Sequence, residues 1–188
     1  MNAGEKDEIL YSRYLSEGNE ADLRILLERY NESLTLFLFG IVHNMEDAEE
    51  LMLDAFAAAA AGRSAFAGRS SFKTWLFSIG HKLALMHLRK NRIRTVPLEE
   101  AHGADLQSPE PAEFRILEEE RHYRLYQALD SLHPEYRQVL YLLYFEEMKA
   151  EEICRVMKKN RKQIYNLADR GRRALKEKLG DVPCDLHD

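Results

Sequence analysis

The stretch "KAEEICRVMKKNRKQIYNLADRGRRAL", Lys149–Leu175, runs through a short helical segment, a tight connection around Lys158–Asn160 and a longer helical segment. That order is a helix-turn-helix. At about 100° per residue, the longer segment gathers Ile164, Leu167, Ala168, Gly171 and Leu175 on one stripe, which must face a core. The opposite side presents Lys162, Asn166, Asp169 and Arg173, flanked by Arg161, Tyr165 and Arg170. Arg, Asn and Tyr donate to base edges and phosphates, whereas a face made only for solvation alternates in sign. Asp169 stands apart: an acid there reads cytosine, orients a neighbouring Arg or faces solvent.

The rest of the chain gives this basic island its context. The net charge is -5, yet it is distributed in alternating blocks. Residues 67–95 carry 7 basic groups and no acid, and residues 153–180 carry 10 basic groups against 2 acidic ones. The blocks before each of these are strongly acidic, with 13 acids in residues 1–66 and 14 in residues 96–152. Two separate basic patches in an acidic protein are what a polyanion met at two places requires.

Helical periodicity dominates. Leu23, Leu26, Leu27, Tyr30, Leu34, Leu38, Ile41 and Val42 repeat at three- and four-residue steps behind Asn19, a suitable N-cap. Asn44 caps a second helix whose first turn is acidic and which Gly62 ends. Ser70 or Ser71 opens a third, with Trp75, Leu76, Ile79, Leu83 and Met86 or His87 as its buried stripe. From Thr95 to about Ala112 the chain carries Pro97, Pro109, Pro111 and several acids without any hydrophobic period, the mark of a linker. Four more helices are expected beyond it: one in "EFRILEEERHYRLYQALDSL", one opened by Pro134, and the two of the helix-turn-helix. The fold class is all-α: two small helical domains joined by a flexible acidic linker, the C-terminal one a helix-turn-helix. The boundaries are 1–95, 96–112 for the linker, and 113–181.

The chemistry the sequence excludes is equally informative. Glu119 and His122 have the spacing of a di-iron helix, but the second such pair and two further carboxylates are missing. There is no P-loop, Gly-rich dinucleotide turn or nucleophile motif. Cys154 and Cys184 lack metal-ligand spacing and read as reduced thiols in a cytoplasmic setting. The N-terminus lacks a signal-peptide core, and apolar runs such as "LTLFLFGIV" fall far short of the ~20 residues that span a bilayer. No metal, cofactor or membrane insertion is expected.

The segments "IVHNMEDAEELMLDAF", "SSFKTWLFSIGHKLALMHLRK", "ALDSLHPEYRQVLYLLYFEEMKAEEI" and "KKNRKQIYNLADRGRRALKEKL", in this order and divided by such a linker, resemble the extracytoplasmic-function group of the sigma-70 family of RNA polymerase sigma factors. The resemblance covers nearly the whole chain. It implies a non-enzymatic subunit that binds core RNA polymerase, through the largest-subunit clamp helices and the flap, and directs promoter-specific initiation. Asp47, Glu49, Glu50, Asp54 and Phe56 would dock on the clamp, although capping and core roles compete for Asp47 and Phe56. Gly68, Arg69, Ser70, Ser71, Phe72, Lys73, Thr74 and Trp75 would take the melted minus-10 element, with Lys82, Arg89, Lys90 and Arg92 on its phosphates. Trp75 also suits a core anchor. Asn160, Arg161, Lys162, Tyr165, Asn166, Arg170 and Arg173 would read the minus-35 duplex.

Lys82 and Met86 stand where the family commonly has Asn and Asp, so base preference at the downstream element does not carry over. The resemblance further implies a cognate anti-sigma factor and a linker that threads toward the polymerase cleft. Two other readings fit parts of the sequence. A stand-alone helix-turn-helix regulator with an N-terminal sensing or dimerisation domain would bind duplex tightly without polymerase, and a helical metal-dependent enzyme would hold stoichiometric metal.

Overall fold

The computed structural model describes residues 5–62, 66–94, 128–129 and 131–179. Among them are seven helices and no strand: α1 (Asp7–Glu17), α2 (Glu20–Val42), α3 (Met45–Ala60), α4 (Phe72–Arg94), α5 (Pro134–Tyr144), α6 (Ala150–Met157) and α7 (Arg161–Leu179). The expected linker and most of the helix expected after it lie outside the described residues, as does the Glu119–His122 pair.

The caps read from the sequence are in place. Asn19 Oδ1 accepts from the Ala21 N–H at 3.2 Å, and Asn44 Oδ1 from the Asp47 N–H at 2.9 Å. Of the two serines that could open α4, Ser71 does so: its hydroxyl oxygen accepts from the Thr74 N–H and its carbonyl from Trp75. Each bond satisfies an N–H that a helix start leaves unpaired.

Helix α1 is an addition by the structure, because the apolar period begins only at Leu23. It buries only Leu10 and Tyr11, and much of its attachment is polar. Arg13 bridges Glu5 and the buried carboxylate of Asp22, while Asp7 pairs with Arg29 and accepts from the Tyr30 hydroxyl.

Helices α2, α3 and α4 pack on one another as the body of the first half. A Cβ at Gly80 would stand 3.1 Å from Leu34 Cδ1, so glycine permits the close approach of α4 to α2. In the second half, α5 and α7 approach closely at Gly171, where a Cβ would meet Leu140 at 3.2 Å and Tyr136 at 3.3 Å. The two helical domains pack against each other. One continuous core runs from Leu10 to Leu175, with α5 against α2 and α6 against α4. Where they meet, the Phe37 and Tyr141 rings lie 5.9 Å apart, and the Tyr141 hydroxyl donates to the Ser33 carbonyl at 2.9 Å.

Candidate nucleic-acid interface

The helix-turn-helix is built by local rules. Lys158, in the left-handed conformation with φ 53°, ends α6 and turns the chain. Asn160 and Gln163 then cap α7 reciprocally, each side-chain oxygen accepting from the other's backbone N–H at 2.9 Å. Asn160, expected to touch DNA, therefore uses its side-chain oxygen to start the helix. The stripe of Ile164, Ala168, Gly171 and Leu175 is buried, with Leu167 half-buried. Two contacts set the unit on α5: Arg172 Nε donates to the Tyr144 hydroxyl at 2.7 Å, and Lys159 pairs with Glu135 at 2.7 Å.

Arg161, Lys162, Tyr165, Asn166, Asp169, Arg170 and Arg173 are all exposed on the other face. Some are held in position. Arg161 pairs with Glu151 at 3.0 Å and lies over the Tyr165 ring at 6.0 Å, within cation–π range. Asp169 accepts from Arg173 one turn further along, the contact that an orienting role calls for.

The first basic patch starts at an aromatic cluster. Tyr11, Phe66, Phe72 and Trp75 meet with ring centroids 5.0–6.3 Å apart, and the Tyr11 hydroxyl donates to the Ala59 carbonyl. This packing fixes the loop that ends at Ser71. Phe72 is fully buried and Trp75 half-buried, so the anchoring role expected for Trp75 is present. Gly68, at φ 65°, and Arg69 are exposed at the loop tip, with Ser70 half-buried. Further along α4, Lys82, Arg89 and Lys90 are exposed, and Arg92 belongs to the same helix. His87 turns inward to Asp47, 3.2 Å away, while Met86 is 53% exposed, which decides between the two.

The remaining loop residues are engaged across the molecule. Thr74, only 1% exposed, donates from its hydroxyl to Glu152 Oε1 at 2.9 Å, and Ser71 Oγ reaches the same oxygen at 3.2 Å. Lys73 Nζ lies 2.7 Å from Glu146 Oε2 and donates to the Glu146 carbonyl at 2.9 Å. Burial raises the Glu152 pKa, but the bonds from the Lys149 N–H, Thr74 and Ser71 outweigh it and hold the carboxyl below its ordinary range. Glu146 and Glu152 were not anticipated, because nothing local to them shows that they reach residues more than seventy positions away.

On α3, Glu49, Glu50 and Asp54 are exposed, and Asp47 is half-buried at its first turn. Phe56 is 5% exposed and belongs to the core, so of its two expected roles the structure displays packing. Leu53, 56% exposed between those acids, joins their face instead. Its position off the stripe of Ala48, Leu51, Met52 and Ala55 is the signal that could have found it.

Comparison with known proteins shows the family. Residues 26–94 match the model described as Sigma-70 region 2, and residues 122–175 match Sigma-70, region 4. The chain belongs to the sigma-70 family. Curated relatives place it in the extracytoplasmic-function group. RNA polymerase sigma factor YlaC of Bacillus subtilis is 26% identical over 155 residues, covering 82% of this chain and 90% of the relative. The ECF RNA polymerase sigma factor SigX of the same organism is 25% identical, covering 90% and 89%. The sigma-H factor of Pseudomonas aeruginosa is 29% identical, covering 84% and 85%.

The fold is shared with CnrH, solved in complex with the cytosolic domain of CnrY, at a TM-score of 0.65 and 22% identity over 92% of this chain and 96% of that one. It is shared equally with Bartonella quintana RpoE, solved with the anti-sigma factor NepR, at 0.65 and 21% identity over 86% and 99%. This sigma factor serves promoter-specific transcription initiation. A stand-alone regulator would leave the region 2 match unexplained.

Proposed function

We propose that the outer face of α7 reads the minus-35 element in the duplex major groove, chiefly through Arg161, Lys162, Asn166 and Arg170. The observation that carries this assignment is the division of α7 into a buried apolar stripe and an exposed face of donors, held on α5 by Arg172 and Lys159. Residues 68–75 and the basic face of α4 take the melted minus-10 strand, with aromatic packing holding the loop in shape. The α3 face of Glu49, Glu50, Leu53 and Asp54 docks on the clamp helices of core polymerase, and the second domain meets the flap.

On this reading residues 1–95 and 113–181 are the two functional domains, 96–112 connects them, and the protein works in the cytoplasm and performs no chemistry of its own. No helix among the described residues is long and apolar enough to cross a membrane. Two structural neighbours were solved with partners, NepR by name an anti-sigma factor, which supports a cognate anti-sigma factor here as well. Run-off transcription with core polymerase on genomic fragments tests the whole. Promoter-specific transcripts with discrete start sites are expected, and their absence on every fragment would overturn it.

A further inference from the structure

We propose that Glu151 is a positioning residue for promoter reading: from α6 it fixes the guanidinium of Arg161 on α7 for a base edge of the minus-35 duplex. The inference rests on the assignment of the outer face of α7 to that element. Arg161 is the first residue of α7, and the N-terminal residues of a recognition helix are the ones that meet base edges. Two contacts hold its guanidinium. Glu151 Oε1 accepts from Arg161 Nη2 at 3.0 Å, and the Tyr165 ring, one turn along, lies with its centroid 6.0 Å away. The first contact sets the direction of the guanidinium and the second supports its plane. Arg reads a base through two parallel N–H bonds, so its discrimination depends on both.

Lys162 and Arg170, on the same face, have no ion-pair partner among the described residues. Free cations suit phosphates, which carry no sequence information. A guanidinium held from a second helix suits a base edge, where direction counts. The acid that holds it has no other evident work. Its neighbour Glu152 caps α6, accepting from the Lys149 N–H at 3.0 Å.

Neither affinity nor stability accounts for Glu151. Its side chain is 50% exposed on the first helix of the helix-turn-helix, the one that crosses the DNA backbone, where a carboxylate repels phosphates. An ion pair this exposed adds little to the fold. A purely structural Glu151 would offset the positive end of α7, whose first turn holds no acid, and would act on stability and not on one base pair. Without Glu151, Arg161 is free to swing to a phosphate. The grip on DNA then stays or grows while discrimination at one base pair falls, so affinity and specificity part company at this residue.

The test uses the full chain with core polymerase, a promoter mapped by run-off transcription, and templates in which each base pair of its minus-35 element is substituted in turn. The ratio of transcript yields, parent to substituted, measures discrimination at each position. Arg161→Ala identifies the base pair that Arg161 reads, as the position where the ratio collapses toward one. Glu151→Ala should lose about fivefold at that position alone, with the other ratios and the thermal midpoint unchanged. Glu151→Gln, which keeps an oxygen at the same reach, should recover part of the loss. Full discrimination by Glu151→Ala at that position would overturn the positioning role and leave the reading by α7 standing. A rise in yield by one factor on every template, or an equal fall with a lowered midpoint, would overturn it too, as the marks of an acid that only repels DNA or only stabilises the fold. If Arg161→Ala leaves every ratio intact, the assignment of Arg161 to a base fails, and the positioning role with it.

Discussion

His81 Nε2 donates to Gln138 Oε1 at 3.1 Å, a bond that joins α4 of the first half to α5 of the second. His81 is buried and stacks on Phe37. Burial lowers its pKa; the Gln138 bond opposes this, Lys158 and Lys159 lower it further, and Glu135 raises it. The folded form therefore binds the proton less readily than the unfolded form, whose histidine titrates at ~6.5. Its contribution to stability is intact above that pH and is lost as pH falls, by at most about 1.4 kcal/mol per unit. Amide protection factors across Phe37–His81, corrected for the intrinsic pH dependence of exchange, should fall between about pH 7 and 5.5. His81→Gln should flatten that dependence, and an unchanged profile in the variant would assign it elsewhere.

The upstream and polymerase contacts should separate by mutation. Arg161→Ala and Asn166→Ala alter exposed side chains on α7 and should cost about 1–3 kcal/mol of promoter discrimination, roughly 5- to 150-fold in transcript yield, with core binding unchanged. Asp54→Lys should weaken core binding and leave duplex contact alone. Run-off yield and polymerase co-sedimentation measure the two effects.

Asp169 restrains Arg173, and releasing it should strengthen non-specific contact. Asp169→Asn frees the guanidinium for one more phosphate, so the log-log salt slope of duplex binding should steepen by about 0.9. A filter-binding series from low to moderate salt checks this. An unchanged slope would mean that Arg173 does not reach the backbone.

Gly171 sets the separation of α7 from α5. Gly171→Leu places atoms against Leu140 and Tyr136, where even a Cβ is tight, and should destabilise by about 1–3 kcal/mol or more. Thermal unfolding followed by circular dichroism should show the loss, with duplex affinity falling as α7 is displaced.

How far the sequence was legible depended on the range of the interaction. The Asn19, Asn44 and Ser71 caps, the Gly171 stripe and the exposed face of α7 all follow from residues within about four positions of one another, where helical geometry dictates who meets whom. The Asp169–Arg173 pair also has that spacing and could have been chosen from the sequence. Helix α1 escaped because so few of its apolar residues are buried and much of its hold comes from Arg13, Asp7 and their partners on α2.

The sequence by itself determined α2 to α7, their polarity and the two basic surfaces, since periodicity and charge are properties of short segments. Only the tertiary structure decided what each surface touches. Phe56 went to the core and Leu53 to the surface; Ser71, Lys73 and Thr74, expected to face DNA, are held by Glu152 and Glu146. These pairings span 73 to 81 positions, and no local rule specifies them. They arise because one apolar core draws α6 against α4, and the carboxylates carried there must find donors once they leave water.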